Sequence, residues 1–252
     1  MRSRQSESSL TVVCRSFSGV SEPLSRDSLL DLASAISVQV FEFVSRNDPA
    51  FEKPARRIYE RSLELAPSTN TTQNDAIFQD AVQSHQSGRL EMATLSLKEL
   101  AEQGHVLSQI MYALSQRHGW GCDPEPKTAV AYLYSATRVA IDSELGAIDS
   151  GTSSTSIAPD ELKLALFEIA SSLRHGWGCA KSAVSARSFY KTAADLGDVD
   201  AMRELAWCYI NGFGGKKDKF AAAQILRMAE RQGSKVLGDS WIWKEKYDIK
   251  LL

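Results

Sequence analysis

A six-residue segment, RHGWGC, occurs twice in this 252-residue sequence and carries the side chains with the most evident capacity for chemistry. The two copies span Arg117–Cys122 and Arg174–Cys179. They supply two histidines and two cysteines: His118, His175, Cys122 and Cys179. Two His and two Cys form a complete ligand set for a tetrahedral zinc ion. A zinc-stapled scaffold is therefore one interpretation of the sequence.

Core packing is the simpler interpretation of the two cysteines. Free cysteine commonly behaves as a small, buried, apolar side chain, and Cys122 and Cys179 each follow a Gly-Trp-Gly turn. Equivalent positions of adjacent helical units are expected to lie roughly 10 Å apart, because that is the usual distance between packed helices. That separation is too large for a shared ion, so we expect neither a metal ion nor a cofactor.

Catalytic motifs are absent from the sequence. The Gly-Trp-Gly turn lacks the Lys-Ser/Thr ending of a phosphate-binding loop. The four histidines are His85, His105, His118 and His175, and no motif around them matches a known active site. The sequence therefore predicts no catalytic residues and a protein that is not an enzyme.

The duplicated segment belongs to a longer internal repeat. Gly176 and Gly212 open equivalent Gly-aromatic-Gly turns 36 residues apart, and Gly119 opens a third turn 57 residues before Gly176. The interval of 57 residues equals one repeat of 36 residues plus an insertion of 21 residues. The extra residues fall near 141–159, which is rich in Asp, Ser, Gly and Thr, and predict an interrupting loop.

Small residues recur in register with these turns and indicate helical hairpins. Three sets of alanines share equivalent positions: Ala113, Ala170 and Ala206; Ala129, Ala186 and Ala222; and Ala136, Ala193 and Ala229. Alanine at regular points lets two helices approach closely. The weaker frame of Ala93, Leu97 and Gly104 adds a first, irregular unit. The predicted fold is therefore all-α, a right-handed α-solenoid of about four helix-turn-helix units.

The remaining sequence divides into flanking segments. Residues 1–25 predict a disordered Ser/Arg-rich tail, and residues 26–70 predict an N-terminal helical segment and a linker. Its two helices are expected from Asp27 to near Asn47 and from Glu52 to Leu65, followed by Pro67 and the polar stretch 68–72. Residues 71–233 form the repeat array, and residues 234–252 form a C-terminal cap.

Charge and hydropathy restrict the partners. The 29 Lys and Arg residues nearly balance the 31 Asp and Glu residues, so we expect no nucleic-acid binding. No apolar run approaches the length of about 18 residues that a membrane span needs, so no membrane insertion is expected.

Four widely spaced cysteines favour a cytoplasmic or nuclear location, and the arginines among the N-terminal serines faintly resemble a mitochondrial transit peptide. The composition leaves the oligomeric state open.

The repeat resembles the Sel-1-like repeat family, which is related to tetratricopeptide repeats. The best match is Ala201–Gly233, with Leu205, Tyr209, Gly212, Gly214, Ala222 and Ala229 at the positions of the family pattern. The resemblance implies a non-catalytic adaptor that binds a protein partner and supports a complex. It further implies regulation of a cell-cycle kinase or a cell-wall synthase in a fungus. The alternative that it implies is a hydrolase similar to bacterial penicillin hydrolases, although the regular cysteine pairs of those proteins are missing.

Aromatic residues are the candidates for partner binding. Trp120, Trp177 and Phe213 share one repeat position and therefore predict a row along one edge of the solenoid. The other interpretation is that each ring covers the neighbouring hairpin. Trp241 and Trp243 follow the last repeat and predict either a partner-binding tail or a cap over that repeat.

Overall fold

The computed structural model describes residues 25–45, 56–61, 71–151, 160–234 and 239–248. Within these ranges the main helices are α1 (Arg26–Ser45), α2 (Thr71–Gln86), α3 (Leu90–Glu102), α4 (Val106–His118), α5 (Pro126–Asp149), α6 (Asp160–His175), α7 (Ala183–Asp195), α8 (Val199–Asn211) and α9 (Lys219–Arg231). Residues 56–61 are also helical, and two short 3-10 helices, Asp239–Trp243 and Glu245–Tyr247, follow α9.

Helices α2 to α9 form four successive antiparallel hairpins, in which each hairpin packs against the next. No strand occurs in the described residues, so the predicted all-α repeat solenoid is confirmed. The predicted alanines allow the close packing: Ala113, Ala170 and Ala206 on the first helices are at most 1% exposed. Large side chains such as Leu166 and Tyr190 fill the spaces between the helices.

The turn between the two helices of a hairpin is fixed by its first glycine and by one backbone hydrogen bond. Gly119, Gly176 and Gly212 have φ angles of 73°, 77° and 73°, in the left-handed region that ends a helix. Farther along each turn, a backbone N–H donates to a carbonyl in the last turn of the first helix. The three bonds are Glu125 to Gln116 at 2.7 Å, Ser182 to Leu173 at 3.0 Å, and Asp218 to Tyr209 at 2.9 Å. The chain therefore enters α5, α7 and α9 in the same direction.

The second glycine of each turn has a different role, because it packs against the previous hairpin. A Cβ atom at Gly121 would overlap the backbone of Leu90 at the start of α3. Cβ atoms at Gly178 and Gly214 would likewise overlap backbone atoms at the starts of α5 and α7. Each turn is thus seated on the N-terminal end of the preceding second helix, and only glycine leaves room for this contact.

The predicted loop at 141–159 is wrong for its first part. Helix α5 continues to Asp149 and is 24 residues long, whereas the other second helices have 13. All residues from 129 to 137 are buried, because α5 packs against its neighbours in the array and also against α1. An ion pair between Arg26 and Asp149, 3.0 Å apart, joins the start of α1 to the end of α5. The helical extension therefore contributes to the docking of the N-terminal helix, and residues 152–159 lie outside the described part.

The other flanking predictions are tested only in part. Helix α1 matches the first predicted helix, and residues 56–61 are helical within the second. Thr71 and Thr72 belong to α2 instead of to the predicted polar linker. Residues 1–24 of the predicted tail at 1–25 lie outside the described residues, as does the rest of the linker at 66–70.

Candidate functional site

The aromatic row, defined as Trp120, Trp177 and Phe213, lies in three consecutive turns between first and second helices. Trp177 is 38% exposed, and the other two rings are half-buried. Thr94 of α3 donates a 2.6 Å hydrogen bond to the carbonyl of Trp120, which fixes that turn against the previous hairpin. The structure therefore places all three predicted residues at equivalent points of the array.

Neighbouring side chains cover much of the two indole faces. His118 stacks on Trp120 with 4.7 Å between ring centroids, and His175 stacks on Trp177 at 4.5 Å. The guanidinium of Arg117, from the preceding hairpin, also lies over Trp177, 4.6 Å from its centroid. The rings thus take part in packing between hairpins, as the second interpretation expects, while Trp177 keeps a substantial exposed area.

A third tryptophan, Trp207 on α8, lies next to the row and was missed in the sequence. It lies 5.6 Å from Phe213 between ring centroids and is 38% exposed. The guanidinium of Arg174 lies 3.9 Å from the Trp207 centroid. The sequence did carry a signal, because Trp207 departs from the repeat pattern. The equivalent positions in the two earlier repeats hold Leu114 and Ser171.

Two equivalent arginines join consecutive hairpins beneath the row. Arg117 on α4 donates a 2.8 Å hydrogen bond to Glu168 on α6, and these side chains are only 9% and 13% exposed. One repeat later, Arg174 forms the same ion pair with Glu204 on α8. Each arginine also covers a tryptophan of the next hairpin. At each of the two junctions, a single arginine therefore makes both an ion pair and a cation–π contact.

We expect a double-mutant cycle on Arg117 and Glu168 to show a coupling energy of about 1.5–3 kcal/mol, because this charge-assisted pair is largely shielded from water. The free energies of unfolding of Arg117→Ala, Glu168→Ala and the double variant would be measured by chemical denaturation. The control is the exposed i,i+4 pair Lys191–Asp195, for which coupling should stay below about 0.5 kcal/mol. Equal couplings would contradict a special role for the junction.

The candidate ligands of a zinc ion have other roles in the structure. No group of three or more His, Cys, Asp or Glu side chains within the described ranges is arranged to hold a metal ion. Burial and then the adjacent arginines lower the pKa values of His118 and His175, which favours neutral imidazoles stacked on indoles. Burial raises the pKa of the Cys179 thiol to about 11, and a protonated thiol is a poor ligand and a poor nucleophile.

Trp241 and Trp243 lie in the C-terminal cap, defined as residues 239–248, which packs against α9. Trp241 is half-buried and meets Tyr247 edge to face at 5.4 Å. Trp243 is 51% exposed, and its indole N–H donates to Glu230 at 2.7 Å. The structure thus separates these two residues from the aromatic row, which lies in the turns.

A groove of about 420 Å³ lies along α8. This terminal groove is lined by Phe167, Arg203, Trp207, Ile210, Asn211 and Leu226, together with neighbouring polar side chains. It is bounded by α6 on one side and by α9 on the other. The groove adjoins the aromatic row through Trp207, whose ring contacts Phe213, and the sequence did not indicate it.

The membrane expectation is tested by the described helices. None of them has the length and apolar character needed to cross a bilayer.

The match to a repeat family and the likeness to one solved structure agree with the repeat architecture. Three segments, 106–138, 163–198 and 199–234, match the Sel1 repeat family. A crystal structure of c5321, a protective antigen of uropathogenic Escherichia coli with an SLR fold, aligns with a TM-score of 0.50 and 17% identity over 83% of this chain and 41% of that one. A Sel1 repeat protein from Oxalobacter formigenes aligns with a TM-score of 0.49 and 19% identity over 66% of this chain and 56% of that one.

Two fungal proteins are similar in sequence. Protein DSF2 of Saccharomyces cerevisiae is 28% identical over 196 residues, which cover 73% of this chain and 26% of DSF2. The mitosis inhibitor nif1 of Schizosaccharomyces pombe is 31% identical over 153 residues, which cover 55% of this chain and 22% of nif1. The chain thus spans about a quarter of the length of these relatives.

Proposed function

Because this chain carries three Sel1 repeats, we propose that it is a non-catalytic adaptor that binds a protein partner and supports the assembly or regulation of a complex. Sel1 repeats typically serve as protein-interaction scaffolds, and stacked helical hairpins offer an extended surface for this purpose.

The observation that carries the proposal is the repetition of an aromatic side chain at one position of three consecutive turns. Trp177, at the centre of the row, is 38% exposed although its faces are contacted by His175 and Arg117. Large aromatic side chains that are held rigidly are favoured anchors in protein interfaces, because little conformational entropy is lost on binding.

Regulation of mitosis in a fungus is the proposed setting. Its support is the similarity to the mitosis inhibitor nif1, which is 31% identical over 153 residues. The cytoplasmic location stays a prediction from the sequence, as does the cap's contribution to binding through Trp241 and Trp243.

We expect the triple variant Trp120→Ala, Trp177→Ala, Phe213→Ala to lose at least about 90% of captured partner, because several anchors are removed together. The measurement is an affinity capture from fungal extract, quantified by mass spectrometry, after circular dichroism shows that the variant remains helical. The matched control is Met92→Ala, Leu95→Ala on α3, which removes apolar side chains that are 59% and 63% exposed outside the row.

A partner lost from the triple variant and retained by the control supports binding at the aromatic row. An unchanged set of captured proteins would contradict it. A third variant, Trp243→Ala, tests the cap separately and should leave capture unchanged if Trp243 only contacts α9 through Glu230 and Arg227.

A further inference from the structure

The terminal groove lies where the pattern of contacts between hairpins stops. At two earlier junctions the side chain two positions before the first turn glycine reaches the first helix of the next hairpin. Arg117 of α4 reaches Glu168 of α6, and Arg174 of α6 reaches Glu204 of α8. The corresponding residue of α8 is Ile210, which instead lines the groove. The groove therefore continues an interface that receives a helix at both preceding junctions.

The C-terminal cap covers α9 and leaves this surface of α8 accessible. Ala223 of α9 is fully buried against Ile242 and Tyr247 of the cap. Leu226 packs partly against the cap and is half-buried, while its equivalent in the previous repeat, Tyr190, is 1% exposed. On α8, Trp207 remains 38% exposed. Within the described residues, the cap thus replaces only part of what a further hairpin would contribute.

The side chains of the groove specify the chemistry of a ligand. Ile210 and Leu226 are half-buried apolar side chains, which favour apolar residues on the ligand. Arg203 is 47% exposed, and its contact with Asp200 is long, at 3.9 Å. A carboxylate on the ligand can form a shorter ion pair with this guanidinium, as Glu168 and Glu204 do with Arg117 and Arg174 at the earlier junctions.

We propose that the terminal groove binds an amphipathic α-helix of a partner protein, which occupies the position that the first helix of a further hairpin would take. Its apolar side chains pack on Ile210 and Leu226, and a carboxylate on its edge pairs with Arg203. Helices bind such grooves through residues spaced i, i+3 or i+4, and i+7. The inference rests on the proposed function, because both require a protein partner, but it concerns a surface other than the aromatic row.

The test uses the full chain and a fluorescently labelled 16-residue helical peptide with Leu at positions i, i+3 and i+7 and one flanking Glu. Binding is measured by fluorescence anisotropy. We expect Ile210→Glu to weaken binding at least about tenfold, because it places a charge where an apolar side chain packs. Arg203→Glu should weaken binding at least about fivefold, and a peptide with Arg in place of its Glu should recover it.

The control variant is Val184→Glu on α7, which introduces the same charge at a side chain that is 70% exposed and outside the groove. Retained binding by this variant, together with the charge-swap recovery, supports the proposal. Equal weakening by Val184→Glu, no recovery on charge swap, or no binding by the unmodified chain would overturn it. Self-association that Ile210→Glu abolishes, measured by sedimentation velocity, would also overturn it, because the occupant would then be a second copy.

The aromatic-row variant distinguishes this inference from the proposed function. Because Phe213 contacts Trp207, which lines the groove, the variant used here is Trp120→Ala, Trp177→Ala, which should bind the peptide as tightly as the unmodified chain. If the peptide fails to bind while partner capture still depends on the row, the groove inference fails alone. If the peptide binds and the row variant captures its partners unchanged, the proposed surface fails and the groove stands.

Discussion

Gly178→Ala is expected to lower the free energy of unfolding by more than about 3 kcal/mol, a loss typical of severe backbone strain. The new Cβ atom would overlap backbone atoms of Pro126 and Lys127 at the start of α5. These backbone atoms cannot move aside as the end of a flexible side chain could. The φ angle of 72° adds a cost of about 1–2 kcal/mol for a residue with a side chain. Chemical denaturation followed by circular dichroism measures the change.

Gly197→Ala provides the control because it shares the positive φ angle, at 97°, but its added Cβ atom meets nothing within 4 Å. Its cost should therefore be limited to about 1–2 kcal/mol of conformational strain. The difference between the two variants isolates the close contact between hairpins. Equal losses for Gly178→Ala and Gly197→Ala would show that the turn does not depend on this contact.

Arg227→Ala is expected to release the C-terminal cap and to cost about 2–3 kcal/mol of stability. The Arg227 side chain is 9% exposed and donates hydrogen bonds to the carbonyl of Ile242 at 2.9 Å and to Asp248 at 2.8 Å. Its guanidinium also lies 5.0 Å from the Trp243 centroid. Removing it leaves the Ile242 carbonyl without this donor and removes two hydrogen bonds between α9 and the cap, while the bond from Gln224 to the Tyr247 carbonyl remains.

Limited proteolysis and chemical denaturation test this prediction together. In Arg227→Ala, cleavage within residues 239–248 should become at least about tenfold faster, because the cap is no longer held. The control is Arg231→Ala, four residues along α9, whose side chain is exposed. Similar cleavage rates in the two variants would contradict the role of Arg227.

The repeat frame was predictable because it depends on residues that recur at fixed intervals. Paired glycines and aligned alanines mark the turns and the helix contacts, and each of these roles requires a particular residue type at a particular spacing. The four hairpins and the positions of Trp120, Trp177 and Phe213 follow from that frame. The sequence alone therefore contained most of the architecture of the array.

The contacts between hairpins were not predictable in the same way. Arg117 and Glu168 are 51 residues apart, and Arg174 and Glu204 are 30 apart, because an insertion separates one pair of repeats. Charged residues are common on helix surfaces, so neither pair stands out before the helices are placed. The covering of Trp177 by Arg117 likewise depends on tertiary packing.

The insertion shows where composition misled the interpretation. Residues 141–149 contain Asp, Ser and Gly, which favour turns, yet they continue α5. Tertiary contacts outweigh that local preference, because α1 packs against α5 and Arg26 pairs with Asp149 at its end. Trp207 was missed because its exposure also depends on tertiary structure. It lies on the face of α8 that lines the groove.

Native mass spectrometry of the protein purified from fungal cells tests the adaptor function most directly. The 27.7 kDa chain is expected to appear in a complex of defined stoichiometry with a second protein, and the Trp120→Ala, Trp177→Ala, Phe213→Ala variant is expected to appear without it. A chain that is found only as a free monomer, or a complex that persists unchanged in the variant, would contradict partner binding at the aromatic row.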